Sequence, residues 1–175
     1  LHVLNNEFSH MHQRNPIETI KTRIKTPASI LEKLNRRNLP LCVKTLENDL
    51  TDIAGIRVIC PFPDDIYNVA NLLTNQDDVI TVARKDYIKN PKTNGYRSLH
   101  LIIEIPIFLA SGKKNMKVEV QLRTIAMDFW ASLDHKLRYK QNLKNSEEIA
   151  LELRECADII AGVDLKMQNI RNKIQ

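Results

Sequence analysis

The sequence predicts an α+β domain built on one mixed β-sheet flanked by helices, and three observations predict it. Residues 117–123 (KVEVQLR) alternate strictly, polar at odd numbers and apolar at even ones, which is the signature of a strand with one core face and one wet face. Residues 56–62 (IRVICPF) and 96–105 (YRSLHLIIEI) are rich in β-branched and apolar side chains, as buried strands are. Residues 124–140 place Ala126, Phe129, Trp130, Leu133 and Leu137 at helical spacing. Strands mixed with helices of this length fit one sheet with helical cover.

The remaining elements follow in chain order. Residues 2–13 suit a short polar helix, broken at Asn15-Pro16. Residues 18–25 alternate as a strand. Thr26 is placed to cap the next helix and Pro27 to take its first position, with Ile30, Leu31 and Leu34 as an apolar stripe running to about Asn38. A helix is expected over 64–74 and a strand over 79–87, while Pro106 should end the strand that starts at Tyr96. Residues 111–115 (SGKKN) read as a turn. From Ser146 onward the apolar residues Ile149, Leu153, Cys156, Ile160, Val163, Met167, Ile170 and Ile174 are spaced alternately four and three apart, a heptad seam suited to helix pairing. That seam serves either self-association or folding back onto its own domain. The expected organisation is an N-terminal helix over 1–14, a catalytic unit over 15–140 and a helical oligomerisation arm over 141–175.

Composition narrows the chemistry. The chain has 175 residues, 43% hydrophobic and 27% charged, with a net charge of +5. This is an ordinary globular balance with a basic excess, which points to an anionic partner. No apolar run of 18 residues is present, so no membrane span is expected. Cys42, Cys60 and Cys156 are odd in number and far apart, which argues against a disulfide framework or a zinc ribbon and fits a cytoplasmic setting. The N-terminus shows no charged region followed by an apolar one, so no secretory signal is expected; the first residue is Leu1 rather than Met, which suggests residues preceding it. The four glycines stand far apart and build neither a P-loop nor a Rossmann fingerprint. Phosphates, if bound, must be held by side chains. His10 and His12 diverge on a helix and do not form a metal pair.

Four clusters have the residue types for such work. Arg23 and Lys25 share a strand face, while Ser29 and Lys33 share a helix face near its positive end; together they suit a polyphosphate, although a solvated helix face reads the same way. Asp52, at the mouth of the 56–62 strand, could hold Mg²⁺, and Arg57 could stack on a base or pair with phosphate; an Asp-capped turn with an ion pair is the plain alternative. On the 117–123 strand, Glu119 is a candidate general base or second metal ligand, with Gln121 and Arg123 beside it. Lys85, Tyr87, Lys92, Asn94, Tyr96, Ser98 and His100 lie in a basic loop and the strand after it. There Tyr96, Ser98 and His100 share a face and a base could stack, or the segment is a surface hairpin.

These runs, R-I-K-T-P-A-S-I-L-E-K, D-I-A-G-I-R-V, K-D-Y-I-K-N-P-K-T-N-G-Y-R-S-L-H and V-E-V-Q-L-R-T, resemble the RelA/SpoT synthetase family in content, order and separation. The continuation M-D-F-W-A-S-L-D-H-K-L-R-Y-K also matches, with Asp134 where the family more often has Glu. The resemblance covers about residues 15 to 140, and the chain looks like a small alarmone synthetase. It implies a nucleotidyltransferase-like fold, homotetramers built through terminal helices, and transfer of the β,γ-pyrophosphate of ATP to the ribose 3′-hydroxyl of GDP or GTP with Mg²⁺. By the same resemblance Arg23 and Arg57 sandwich adenine, Lys25, Ser29 and Lys33 bind the ATP phosphates, Asp52 binds the metal, and Glu119 accepts the hydroxyl proton or shares the metal. Tyr96 stacks on guanine with Lys92 and Asn94 flanking it. Lys85, Tyr87 and His100 lie near the acceptor phosphates, and Gln121 and Arg123 complete the cleft.

One departure stands out. Long relatives of the basic subtype carry R-x-K-D at the acceptor loop, whereas this chain has Ala83-Arg84-Lys85-Asp86. The choice between GDP and GTP is left open by it. The alternative from another class is a basic RNA- or nucleotide-binding module with weak or lost synthetase activity. No site for control by product or metal is visible in the sequence.

Overall fold

The computed structural model describes residues 1–138 and 146–174. The predicted helical continuation over 139–140 and the start of the expected arm over 141–145 lie outside the described residues. The elements are α1 (His2–His12), β1 (Thr19–Ile24), α2 (Pro27–Arg36), α3 (Val43–Asn48), β2 (Ala54–Cys60), α4 (Pro63–Thr74), β3 (Ile80–Asp86), β4 (Leu99–Leu109), β5 (Gly112–Thr124), α5 (Ile125–Arg138) and α6 (Ser146–Ile174).

Among the described residues five strands form one sheet in the order β1-β2-β5-β4-β3. Only the β2–β5 pair is parallel; the other three are antiparallel. The sheet is mixed, as the sequence predicts. Strand alternation divides it into two faces. Val58, Leu99, Leu101, Val120 and Leu122 point to one side and pack against Ile66, Val69 and Ala70 of α4. Each such large side chain contributes about 1.5–3 kcal/mol by leaving water, so α4 is fixed firmly on that face. The other face is polar and carries the site.

Several boundaries differ from expectation for local reasons. The strand does not stop at Pro106, which pairs with Asn115. β3 begins at Ile80, opposite Glu104, so beyond that point β4 is an edge strand, where proline is tolerated. The expected turn over 111–115 is shorter, because Leu109 already pairs with Gly112 and Lys113 to Asn115 lie within β5. β2 starts two residues early because Ala54 pairs with Ile24 of β1. Residues Tyr96 to Ser98 are irregular rather than strand. α3 has no counterpart in the sequence reading.

α2 is capped as expected, with the Thr26 hydroxyl accepting the Ser29 N–H at 3.3 Å and Pro27 in the first turn. Thr124 starts α5 in the same way. Its hydroxyl accepts the Met127 N–H at 3.1 Å and donates to the buried Asp164 of α6 at 2.6 Å. The stripe expected on α5 is buried only in part. Of its large members only Trp130 is buried, its indole donating to the Leu153 carbonyl of α6 at 2.8 Å; Phe129, Leu133 and Leu137 are exposed, and Met127, outside the stripe, is buried beside Trp130.

α6 folds back on the domain through a face one residue out of step with the seam. Ala157, Asp164 and Gln168 are buried, while Val163, Met167, Ile170 and Ile174 remain exposed. Its far end is fastened to the N-terminal region through α4. The buried Asp65 lies 2.6 Å from Arg14 and 3.7 Å from Arg171. Among the described residues no helix is long and apolar enough to cross a membrane, and the three cysteines are free.

Candidate active site

Strand register gathers one polar side chain from every strand into a single row. Lys21 pairs with Arg57, Arg57 with Gln121, Gln121 with His100, and His100 with Lys85. The next row sets Arg23 against Gly55 and Gly55 against Glu119. Since glycine sends nothing upward, the floor between Arg23 and Glu119 stays open. A cleft of about 310 Å³ lies there, lined by Arg23, Asp52, Arg57, Glu119, Gln121 and Arg123 among others. It adjoins a wider space of about 670 Å³ bounded by Arg23, Arg57, Tyr96 and Arg123 and walled by α5 through Ala131 and Ser132.

At one end of the cleft the cation cluster closes on a carboxylate. Lys25 Nζ and Lys33 Nζ lie 2.7 Å and 2.6 Å from Asp52 Oδ2. Burial pushes the Asp52 carboxyl up, but the hydrogen bonds from the two lysines outweigh it and hold the group below the ordinary carboxylate range. Its other oxygen, Oδ1, is buried with no hydrogen-bond partner. Ser29 is not brought into this cluster: its hydroxyl oxygen accepts from Thr26 Oγ1 at 3.0 Å as part of the helix cap.

At the other end five side chains close a hydrogen-bonded ring. Arg123 Nη2 donates to Gln121 Oε1 at 2.9 Å, and Gln121 Nε2 donates to Glu119 Oε2 at 3.0 Å. His100 Nδ1 lies 3.3 Å from Glu119 Oε1. With that nitrogen turned to the carboxylate, Nε2 is left to accept the Tyr96 hydroxyl at 2.8 Å. Arg123 Nη2 in turn donates to Tyr96 Oη at 2.7 Å. The His100 hydrogen bond is the main reason the Glu119 carboxyl sits below its ordinary value; burial and the charge of Asp52 act the other way.

The aromatic part of the site is packed edge to face. Tyr87 and His100 ring centres are 5.2 Å apart at 89°, and Tyr96 and His100 are 5.8 Å apart at 83°. Lys92 Nζ lies 4.7 Å and 5.0 Å from the Tyr87 and Tyr96 ring centres. Asn94 is near but differently employed, its side-chain oxygen accepting the Tyr96 backbone N–H at 3.2 Å. Lys85 stands exposed at the end of the polar row. Ser98 is buried and its hydroxyl is spent on the Leu122 carbonyl, to which it donates at 3.0 Å. Arg84 pairs with Leu101, a core-face residue, and its charge acts on the Tyr67 hydroxyl of α4. It therefore does not reach the site.

Asp128 escaped the sequence reading. Its Oδ1 lies 3.1 Å from Arg123 Nη1 and 3.2 Å from Arg57 Nη1. The available signal was a carboxylate in the first turn of a helix that begins right after a functional strand, five residues beyond Arg123.

Among the described residues there is no group of three or more His, Cys, Asp or Glu side chains placed to hold a metal. The Asp52–Glu119 pair nevertheless suits Mg²⁺. This ion is commonly held by one or two carboxylates with substrate phosphates completing its shell, and the unpartnered Asp52 Oδ1 supplies a hard oxygen donor.

The comparisons with known proteins agree with this architecture. Residues 22–144 match the family model described as a region found in RelA/SpoT proteins. The chain is 46% identical over 172 residues to the GTP pyrophosphokinase YwaC of Bacillus subtilis, covering 98% of this chain and 82% of that protein. It is 38% identical over 169 residues to the GTP pyrophosphokinase YjbM of the same organism, covering 96% and 78%. The crystal structure of small alarmone synthetase 1 from B. subtilis bound to its product pppGpp superposes with a TM-score of 0.89 at 37% identity, covering 99% of this chain and 88% of that one. By sequence and by fold, the chain belongs to the RelA/SpoT family.

Proposed function

We propose that this chain makes the alarmones ppGpp and pppGpp, moving the β,γ-pyrophosphate of ATP onto the ribose 3′-hydroxyl of GDP or GTP and releasing AMP. The observation that carries this reading is one cleft holding two carboxylates in different surroundings, Asp52 under Lys25 and Lys33, and Glu119 in the ring with His100 and Gln121. A binding module has no need of that pair.

In this reading adenine lies between Arg23 and Arg57, and Lys25 and Lys33 hold the phosphates, joined by Ser29 once its hydroxyl turns from the Thr26 cap. Guanine stacks on Tyr96 with Lys92 and Asn94 beside it, while Lys85, Tyr87 and His100 face the acceptor's 5′-phosphates. Asp52 and Glu119 would hold Mg²⁺, which when bound offsets negative charge on the phosphate oxygens. The Glu119 carboxylate takes the 3′-hydroxyl proton as the 3′-oxygen bonds to the β-phosphorus. The bond from that phosphorus to the α,β-bridging oxygen breaks, and AMP leaves with that oxygen. Positioning and cationic stabilisation supply most of the rate, as is usual when the transferred group is already highly charged. Gln121 and Arg123 keep Glu119 aimed.

Self-association into a homotetramer belongs to the same proposal. It is supported by the apolar residues left exposed on α5 and on the C-terminal half of α6, with residues 15–140 as the catalytic unit and 141–175 as the arm. The cytoplasm is the expected compartment, in keeping with three free thiols.

The test is incubation with ATP, Mg²⁺ and labelled GDP or GTP, followed by separation of products. AMP plus a guanosine nucleotide carrying two further phosphates is expected. Glu119→Gln should lower turnover by about 10²–10⁴-fold while the protein stays folded. Salt-sensitive RNA binding without AMP release, or near-normal turnover in Glu119→Gln, would overturn the reading.

A further inference from the structure

One arginine from each proposed half-site, Arg57 on the donor side and Arg123 on the acceptor side, ends on the same carboxylate oxygen. Arg57 Nη1 and Arg123 Nη1 lie 3.2 Å and 3.1 Å from Asp128 Oδ1, and the Asp128 side chain is only 14% exposed. Arg57 belongs to β2 and faces the donor cleft. Arg123 belongs to β5 and is 6% exposed on its side chain, with Nη2 spent on Tyr96 and Gln121. Two guanidinium groups this close repel one another, and that repulsion weakens the hold of Arg57 on its proton after burial has already done so. A shared, largely dry counter-ion removes the conflict and fixes both forks.

We propose that Asp128 is a positioning residue that couples the two nucleotide half-sites, orienting Arg57 toward the donor base and Arg123 toward the Tyr96–His100–Glu119 ring. The inference rests on the functional reading above, since it takes Arg57 and Tyr96 as nucleotide contacts. Asp128 itself touches neither substrate. It acts on the donor side through one bond and on the acceptor side through the second. α5 brings it there because its first turn follows the last residue of β5 directly, Thr124 to Ile125.

The experiment is calorimetric binding of α,β-methylene-ATP and of GDP to the full chain, because that analogue blocks the scissile bond. Asp128→Ala should weaken both nucleotides by about tenfold or more. Asp128→Asn, which keeps an acceptor oxygen but no charge, should weaken both by a smaller factor. In an Arg57→Ala background, Asp128→Ala should add little further loss for the ATP analogue yet still weaken GDP; this pattern separates positioning from general softening of the fold. Unchanged affinities, loss for only one nucleotide, or additive losses with Arg57→Ala would overturn the inference. If Asp128→Ala fails to fold, wild-type affinities in Asp128→Asn overturn it and dual weakening sustains it. Wild-type protein that binds both nucleotides but releases no AMP would sink the functional reading, while the binding pattern would still decide the role of Asp128.

Discussion

His100 and Glu119 are diagonal neighbours on adjacent strands, Nδ1 lying 3.3 Å from Oε1. This contact is the principal reason the Glu119 pKa lies below its ordinary value, ahead of the opposing effect of burial. A carboxylate held below its unfolded value contributes stability that is complete above the unfolded pKa and disappears as pH falls through the folded one. The same sign governs its work as a base. Glu119 stays ionised further into acid than a free glutamate. Replacing His100 by Ala leaves burial and Asp52 opposed only by Gln121, so the acid limb of the turnover–pH profile should move to higher pH. A limb that stays in place in His100→Ala would show that another group sets it.

Gly95 is where the acceptor loop meets α6. A Cβ there would lie 2.5 Å from the Ala157 Cβ, and the backbone has φ +85°. Both features exclude other side chains at little cost to glycine. Gly95→Ala should cost about 1–3 kcal/mol and lower the melting temperature by several degrees. It should also weaken GDP binding, because the Lys92–Tyr96 turn has to shift. Adding Ala157→Gly should restore the part due to the clash and leave the part due to φ. A double variant no better than the single one would place the whole cost in the backbone.

Arg84 and Ala83 make opposite predictions although they are adjacent. Arg84 pairs with Leu101 on the core side, while Ala83 pairs with Ile102, which in turn pairs with Glu119 on the site side. Arg84→Ala should therefore leave the KM for GDP and GTP unchanged. Ala83→Arg should lower the KM for the acceptor and change the ratio between GDP and GTP by a few fold. Steady-state kinetics with each acceptor decides it, and an acceptor KM that rises in Arg84→Ala would contradict the register.

Much of this was readable because the signals are local. Strict alternation in 117–123 put Glu119, Gln121 and Arg123 on one face without any tertiary knowledge. The Thr26-Pro27 pair announced a helix start. What was missed depends on neighbours distant in the chain. Pro106 ends a central strand but not an edge strand, and only the starting point of β3 decides which applies. α3 spans six residues, too few for a periodic pattern. The seam on α6 marked the helix but not the face that folds back on the domain, because buried Asp164 and Gln168 are polar and escape a hydrophobic count; their partners, Thr124 and the Asp64 N–H, come from elsewhere in the chain. Asp128 was hidden for the same reason, its meaning residing in two arginines far apart in sequence.

The row from Lys21 through Arg57, Gln121 and His100 to Lys85 has an implication for how such a protein can change. Each strand lends it a single residue, so the loss or gain of one residue inside any strand turns that strand's contribution to the opposite face. Point substitutions can adjust the row one group at a time. Length changes are confined to the connections, where the chain can absorb them without altering parity. Relatives with this chemistry should therefore differ in loop length and keep strand spacing constant, and catalytic activity in any variant is an assay for four strand pairings at once.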